Sequence, residues 1–417
     1  MDSLVSTSDG GVVAAGYLLG KATLGGTEVD FGLEGGLLMK VDAQGKVVWT
    51  VATRGGAQGS NQRSHFESVA VDAQGNVVAA GWVIDEVSLA GTPIKAAGWG
   101  ALILKIDPTG KVLWTKLLDG PGDDQASGVT IDAQGNILVA GDSSGTLDLG
   151  GGETTAIGTY DLFTVRLDAD GTPLSAGRFG APGKSLRVPS LSGDGTRACL
   201  SVVSFSGPAE VSFGATKASG DLFLMRLDAS GTPLWSKGFG TNVGANIVSC
   251  PDAQHIALGG TFQGGSLDFG GKVLTMKDSL LAANMFVASF DGDGNHIWSN
   301  APQGEGLTGL RALHVDTTGR ITATGAFEGM LDLASPSGPM TSAGKLDVFV
   351  AQFAADGQTL STRSLGGPGL DAGISLAVGA SGVVVGGNGG TVSKDPSGGL
   401  VFADSGTSSS AFLVSLP

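Results

Sequence analysis

The chain has 417 residues with 72 glycines, and its hydrophobic fraction of 41% is too high for a disordered protein. The glycines follow no G-X-Y period, which excludes collagen. The chain has 24 Lys and Arg against 39 Asp and Glu, a formal net charge of −15. Because nucleic acids and anionic membranes are bound through clustered cations, this charge argues against both partners. No apolar run reaches the roughly 18 residues that would span a bilayer.

A pair of β-hairpins recurs along the whole chain. In the copy from Ser68 to Thr115, apolar residues alternate on both sides of Asp72-Ala73-Gln74-Gly75-Asn76 and again on both sides of Asp107-Pro108-Thr109-Gly110. Short alternating runs joined by connections rich in Asp, Asn and Gly are typical of hairpins. The two hairpins, separated by a looser Gly-rich segment, predict one four-stranded sheet.

The end of the first hairpin gives the period of the repeat. It recurs seven times, at intervals of 65, 60, 60, 59, 65 and 62 residues, and its last residues are Gly16, Gly81, Gly141, Ser201, Gly260, Gly325 and Gly387. The predicted third strand recurs with the same count. The chain is therefore predicted to contain seven repeats, at approximately 1–58, 59–121, 122–181, 182–241, 242–303, 304–367 and 368–417.

One position of the predicted fourth strand carries a large aromatic residue in four repeats. The residues there are Trp49, Trp114, Trp235 and Trp298, with Ser175 and Ser361 in the third and sixth repeats. A ring that recurs at a fixed strand position is expected to pack one sheet against the next. We therefore interpret these tryptophans as structural.

Four strands per repeat and no helical periodicity predict an all-β fold, namely a seven-bladed β-propeller of four-stranded antiparallel blades forming one domain over 1–417. The last repeat ends at Leu416-Pro417 after its third strand. We therefore expect either a three-stranded last blade with an exposed edge or a completing strand upstream of residue 1 in a longer precursor. We favour the second explanation.

The repeat resembles a known family. The pattern VxVDAQGNVVAAG, with LDFGG at Leu267 to Gly271 and DLFLMRLDASGTPLWSKGFG at Asp221 to Gly240, is similar to the bacterial SBBP-type β-propeller repeat. This resemblance implies a propeller of an extracellular or cell-surface protein, in a family whose members mostly have no assigned reaction. The fourth repeat departs from the pattern at Arg197 to Ser201, which predicts an irregular inner hairpin.

The N-terminal sequence and the two cysteines bear on the cellular compartment of the protein. Met1-Asp2-Ser3-Leu4 has neither the basic region nor the apolar core of a signal peptide, so we expect a cytoplasmic protein or a mature chain with its leader upstream. Cys199 and Cys250 fall in different repeats, and we expect buried free thiols rather than a disulfide.

Two local motifs carry little chemistry. Gly141-Asp142-Ser143-Ser144-Gly145 matches the nucleophile elbow by letter, but no helix is predicted behind it, so we attribute the match to chance. Asp168-Ala169-Asp170-Gly171 and Asp291-Gly292-Asp293-Gly294-Asn295 have the carboxylate spacing with which a Ca²⁺ loop begins but lack its closing glutamate. We expect hairpin turns and no cofactor, with a weak surface Ca²⁺ site as the alternative.

The four histidines do not share a repeat position. His65 lies in a predicted connection between blades, His255 and His296 lie on turns, and His314 lies on a predicted inner strand. A site in a central channel would need side chains from several blades to converge. The weak channel candidates are Arg187, Arg311 and His314.

These observations predict a non-enzymatic, secreted or surface-displayed propeller that binds another macromolecule, a protein or a glycan, as a monomer. Its partner would contact connections and variable segments such as Trp82 to Trp99 and Lys272 to Asn284. Two alternatives stay open: an enzyme, for example a lyase or glycoside hydrolase, with a channel site, and a glycan-binding propeller with one site per blade. Trp82 and Trp99 occur only in the second repeat, which disfavours repeated sites.

Overall fold

A computed structural model of the protein describes residues 1–57, 59–194, 196–240, 242–264, 266–275, 284–304, 306–379, 382–389, 402–403 and 410–416. All regular structure in these ranges is β-strand, in 39 strands β1 to β39. Every pairing between these strands with a described register is antiparallel. The prediction of an all-β, antiparallel fold is confirmed.

The predicted first and second strands of each repeat are present. The first strands are β1 (Ser3–Ser6), β7 (Arg63–Val71), β11 (Asp124–Ile131), β17 (Leu186–Gly193), β23 (Val243–Ser249), β30 (Thr308–Val315) and β36 (Asp371–Gly379). The second strands are β2 (Val12–Leu18), β8 (Val77–Leu89), β12 (Ile137–Ser143), β18 (Arg197–Ser204), β24 (Ile256–Phe262), β31 (Ile321–Phe327) and β37 (Gly382–Gly389).

Third and fourth strands follow the same pattern. The third strands are β5 (Gly35–Val41), β9 (Thr92–Ile106), β15 (Asp161–Leu167), β21 (Leu222–Asp228), β27 (Asn284–Phe290), β34 (Asp347–Phe353) and β39 (Ser410–Leu416). The fourth strands are β6 (Val47–Arg54), β10 (Val112–Leu118), β16 (Pro173–Phe179), β22 (Pro233–Phe239), β28 (His296–Asn300) and β35 (Thr359–Leu365).

The chain divides into two compact units. The first consists of Met1–Thr196, Asp228–Thr232 and Gly379–Ser381. Two of its strand orders are β1-β2-β5-β6 and β11-β12-β15-β16. Strand β6 also pairs with β8, so that β8-β9-β10 extends the first sheet. Strand β7 pairs with β8. Sequential pairing therefore builds the third repeat into a sheet of its own, whereas the first two repeats share one eight-stranded sheet.

The second unit consists of Arg197–Leu227, Pro233–Val378 and Gly382–Pro417. Within it, β18, β21 and β22 are successive neighbours in one sheet, and two complete sheets have the orders β23-β24-β27-β28 and β30-β31-β34-β35. Apolar residues fill the space between consecutive repeats, as in the cluster that joins Val287 of β27 to Leu310 and Phe349 of the next repeat.

The repeated tryptophans join neighbouring sheets, which confirms their structural interpretation. Each indole N–H donates to a carbonyl in the last turn of the following repeat. The pairs are Trp49 to Pro108 O at 3.0 Å, Trp114 to Ala169 O at 3.1 Å, Trp235 to Gly292 O at 3.1 Å and Trp298 to Ala355 O at 3.0 Å. Ser175, which replaces tryptophan in the third repeat, donates to Ser230 O at 2.8 Å and preserves the same link.

The predicted looser segment between the two hairpins contains a third, small hairpin in most repeats. These strands are β3 (Lys21–Leu24) and β4 (Thr27–Asp30), β13 (Thr146–Asp148) and β14 (Glu153–Thr155), β19 (Ala209–Phe213) and β20 (Thr216–Gly220), β25 (Ser266–Leu267) and β26 (Leu274–Thr275), and β32 (Met330–Asp332) and β33 (Met340–Thr341). In the sixth repeat β29 (Gln303–Gly304) pairs with β32. Strands this short carry too few alternating residues to be predicted.

The last repeat differs from the expected three strands. β39 pairs with β37 on one side and on the other with β38 (Phe402–Ala403), through Phe402↔Leu413 and Ala403↔Phe412. The sheet has the order β36-β37-β39-β38 and therefore four strands. The fourth strand precedes the third in the chain and has only two residues, so no hydrophobic pattern marked it.

The prediction of free thiols was wrong. Cys199 on β18 and Cys250, the residue after β23, form a disulfide across a sequence separation of 51 residues, with their Cα atoms 6.1 Å apart. Both residues are buried in the second unit. The packing of consecutive sheets brings together cysteines that the linear sequence separates. β18 is an unbroken strand despite its unusual sequence, and residue 195, which precedes it in the predicted inner hairpin, lies outside the described residues.

Candidate functional site

Four aromatic rings of the first unit form a continuous row, which we name the aromatic strip: Tyr17, His65, Trp82 and Trp99. Successive ring centroids are 4.4 Å, 5.5 Å and 4.7 Å apart. Tyr17 is 37% exposed and Trp99 is half-buried, whereas Trp82 is buried between its neighbours. The two end residues of the strip, Tyr17 and Trp99, thus keep solvent-exposed surface.

The sheet register explains how these rings meet. Tyr17 and Trp82 directly follow the glycine that ends the first hairpin pattern, in the first and second repeats. His65 on β7 lies opposite Trp82 on β8. Trp99 on β9 pairs with Ile84, two residues beyond Trp82 on β8. These cross-strand positions place His65, Trp82 and Trp99 side by side. Tyr17 contacts His65 from β2, a strand of the preceding repeat.

Carboxylates flank the strip. Asp2 Oδ2 lies 2.9 Å from His65 Nε2, and Glu67 Oε1 accepts the Trp82 indole N–H at 2.9 Å. Burial, the largest single influence, opposes ionisation of Asp2, but the hydrogen bond with His65 and the charges of the N-terminus and His65 together lower the pKa of Asp2. Burial raises the pKa of Glu34, and burial together with the charges of Asp2 and Glu34 raises the pKa of the Tyr17 hydroxyl. The strip is therefore aromatic and electronegative.

A second group of polar residues continues from the strip. Trp99 forms an isolated bridge with Asp123, whose Oδ2 accepts the Tyr160 hydroxyl at 2.5 Å. The Arg187 guanidinium carbon lies 4.0 Å from the Tyr160 ring centroid, and Arg187 Nε donates to Asp142 Oδ2 at 3.2 Å. Burial and the hydrogen bond with Asp123 raise the pKa of Tyr160. We name Asp123, Asp142, Tyr160 and Arg187 the Arg187 group.

The structure places the three channel candidates as follows. Arg187 belongs to the first unit and is held by Asp142 and Tyr160. Arg311 and His314 lie on β30 of the second unit; Arg311 is exposed at a bulge, and His314 is half-buried with its pKa lowered by burial. Convergence of all three in one channel stays a prediction.

The remaining histidines form local contacts. His255 Nδ1 lies 2.9 Å from Asp252 Oδ2 within one turn. His296 Nε2 lies 3.0 Å from Ser299 Oγ on the same strand. Burial lowers the pKa of His296. The His296 ring also lies 6.1 Å from the ring of Phe290 in the buried core. His65, predicted to lie in a connection, joins the aromatic strip as part of β7.

The acidic turns hold their own backbone. Asp168 Oδ1 accepts the amides of Asp170 at 2.9 Å and Thr172 at 2.8 Å, and Asp291 Oδ1 accepts those of Asp293 and Asn295 in the same way. Across the described ranges, no group of three or more His, Cys, Asp or Glu side chains could hold a metal ion. The carboxylate spacing therefore serves the turn.

Ser143 of the elbow-like motif is a buried strand residue. It ends β12, pairs with Asp124 and Asp161, and is 0% exposed. A nucleophile elbow presents its serine at a sharp strand-to-helix turn. The surroundings of Ser143 do not have that form.

A cleft of about 270 Å³ lies beside Ser175 and is lined by Gly150–Gly152 and Pro173–Arg178, among others. Its one cation, Arg178, donates to Asp161 and to the carbonyls of Thr154, Ser143 and Gly145. These contacts hold the small β13–β14 hairpin against β16. We therefore assign the cleft a structural origin.

Sequence analysis did not identify the strip as a unit. It singled out the Trp82–Trp99 segment, which forms the long β8–β9 hairpin, but not Tyr17 or Tyr160. A signal was available, because the chain has only two tyrosines and one of them shares its repeat position with Trp82. The other variable segment, Lys272 to Asn284, lies mostly outside the described residues, at 276–283.

In the parts of the chain that the structure describes, no helix is long and apolar enough to cross a membrane. A search of curated proteins finds no similar sequence. Similar solved structures include the WD40 domain of Pan2 from Neurospora crassa, with 9% identity, a TM-score of 0.46 and coverage of 100% of this chain and 89% of that one.

Two further solved structures show the same level of similarity. The β-propeller domain of the Trilobed protease from Pyrococcus furiosus has 9% identity and a TM-score of 0.43, covering 93% of this chain and 89% of that one. A putative 6-phosphogluconolactonase from Bacteroides fragilis has 12% identity and a TM-score of 0.41, covering 96% and 95%.

The family comparison concerns the part of the chain that leads from the second repeat into the third. Residues 113–147 match the SBBP family, described as a β-propeller repeat. They cover β10, β11, β12 and the start of the small hairpin that follows. This match confirms the resemblance expected from the sequence, since residues 113–147 are similar to the β-propeller repeat of the SBBP family.

Proposed function

We propose that the protein is a non-enzymatic, secreted or surface-displayed propeller that binds another macromolecule through the aromatic strip. The observation that carries this proposal is the row of four contacting rings in which Tyr17 and Trp99 keep exposed surface. Exposed aromatic residues on a rigid scaffold supply contact area at low entropic cost and are enriched in binding surfaces.

The disulfide supports the extracellular location. Cys199 and Cys250 are joined, and such bonds persist in oxidising compartments and are rare in the cytoplasm. The formal net charge of −15 agrees with a protein that stays soluble and avoids nucleic acid.

The architecture we propose is the closed seven-bladed ring expected from the repeats. Seven sets of first, second and third strands in the same chain order support it, and in five repeats the tryptophan position is linked to the next repeat. Electron-microscopy class averages of the purified chain test this arrangement and its monomeric state. A seven-lobed ring is expected, and a different number of lobes or an open stack would overturn it.

The binding role is tested by capture. The immobilised chain and a Tyr17→Ala/Trp99→Ala variant are exposed to the secreted and cell-surface fractions of the source organism. A matched control is Phe205→Ala, since Phe205 is an exposed aromatic residue (61%) outside the strip. We expect bound material to be retained by wild type and control and lost from the strip variant. Equal capture by all three proteins would contradict the proposal.

A further inference from the structure

The Arg187 group shows how this protein holds a cation against a tyrosine. The guanidinium of Arg187 lies over the Tyr160 ring at 4.0 Å, and its Nε donates to the fully buried carboxylate of Asp142 at 3.2 Å. Tyr160 is itself oriented by its hydrogen bond to Asp123. Ring face and carboxylate together stabilise one positive charge.

Tyr17 also lies near carboxylates, and no cation among the described residues covers its ring. Asp2 lies beside Gly16, the residue before Tyr17, because a Cβ placed on Gly16 would lie 2.9 Å from Asp2 Oδ2. Glu34 lies two residues before Gly36, which is the cross-strand partner of Tyr17. Among the described residues the cation–π contacts are Arg187 on Tyr160 and Lys237 on Trp235, so no described cation covers Tyr17, Trp82 or Trp99.

Two cations lie beside the carboxylates of the strip. The N-terminal ammonium lies 4.0 Å from Asp2 Oδ2, and Arg63, whose side chain is 44% exposed, lies 4.0 Å from Glu34. Asp2, Glu34 and Glu67 outnumber these two cations, and His65 is committed to Asp2. An electronegative surface with open aromatic faces is complementary to a ligand that brings positive charge.

We propose that the aromatic strip binds a basic segment of a polypeptide partner, with an Arg or Lys side chain over Tyr17 in the arrangement that Arg187 adopts over Tyr160. This inference rests on the proposed binding function and adds the chemistry of the partner. A polypeptide supplies both the cation for Tyr17 and apolar contacts for Trp99. A neutral glycan would stack on the rings but bring no positive charge to the surrounding carboxylates.

The test measures binding of a fluorescein-labelled peptide of alternating Arg and Gly to the full chain by fluorescence anisotropy. The comparison ligands are a Glu/Gly peptide and neutral cello- and chito-oligosaccharides. We expect the Arg peptide alone to bind, and about tenfold weaker binding when NaCl rises from about 50 mM to about 500 mM. Tyr17→Ala and the smaller change Glu34→Gln are each expected to weaken binding several-fold, and Phe205→Ala to leave it unchanged.

Several results would overturn the inference. Salt-insensitive binding of an oligosaccharide in place of the Arg peptide assigns the strip to a glycan, and equal binding of the Glu peptide removes the charge argument. Arg-peptide binding that survives both strip variants, with their folding verified by circular dichroism, places the contact elsewhere. If strip variants lose the captured partner while the Arg peptide neither binds nor competes, the binding function stands and the basic ligand is rejected.

Discussion

At the scale of single residues, Asp124 is a buried carboxyl that the fold keeps protonated. It is 0% exposed, its Oδ2 accepts the Gly120 amide at 2.9 Å, and its Oδ1 has no hydrogen-bond partner. Burial, which outweighs the Gly120 hydrogen bond, raises the pKa of Asp124 to about 7 from 3.8. Because the folded state holds this proton more tightly than the unfolded chain, stability falls as pH rises from about 4 to about 7 and then levels off.

Asp124→Asn should remove that part of the pH dependence. The amide keeps the acceptor for Gly120 and cannot ionise, so we expect the Tm of the variant to decline less than wild type between pH 4 and pH 7. The expected difference in the free energy of unfolding is on the order of a few kcal/mol. Thermal unfolding across this pH range measures it, and parallel Tm curves for the two proteins would show that Asp124 ionises freely in the fold.

At the scale of structural elements, the last turn of one repeat supports the tryptophan of the preceding repeat. Gly357 has φ of +87°, and a Cβ added there would lie 2.7 Å from the Trp298 ring. Gly357→Ala is therefore expected to cost about 2 kcal/mol or more in the free energy of unfolding, through backbone strain and displacement of the indole. Denaturant unfolding monitored by circular dichroism measures this cost.

Gly338 provides the matched control for that turn. It lies in the same repeat with φ of +83°, but a Cβ there would meet nothing within 4 Å. Gly338→Ala therefore carries the backbone strain without the ring contact and should cost less than Gly357→Ala. Equal losses would mean that the Trp298 contact contributes little to the packing of consecutive sheets.

Elements were predictable where the local pattern repeats, and unpredictable where the partner lies far away in the chain. The alternation around Asp72 and Asp107 identified both hairpins of the second repeat, and the recurrence of Trp49 identified its role in packing. The two-residue strand β38 carries no period. The contact of Tyr17 with His65 depends on packing between strands of two repeats, which the local sequence does not reveal.

At the scale of the whole molecule, the stability of a repeat array is approximately the sum of the stabilities of its repeats and of the contacts between neighbouring repeats. One disulfide adds to that stability here. The Cys199–Cys250 disulfide links the fourth and fifth repeats over 51 residues, and loop-closure entropy assigns such a bond about 4 kcal/mol. The fully buried Arg226 donates to Cys199 Sγ at 3.0 Å and to Asp252 O at 2.6 Å, so the bond is also packed against a fixed cation.

Reduction should therefore lower the Tm by several degrees, measured by scanning calorimetry with and without dithiothreitol and with thiol alkylation to verify the reduced state. A Cys199→Ser/Cys250→Ser variant should unfold at the lower temperature, and its Tm should not change when the reductant is added. A wild-type Tm unchanged by verified reduction would contradict a stabilising role. Since the bond forms only where thiols are oxidised, protein recovered from an oxidising compartment should match the unreduced sample, and cytoplasmic protein the reduced one.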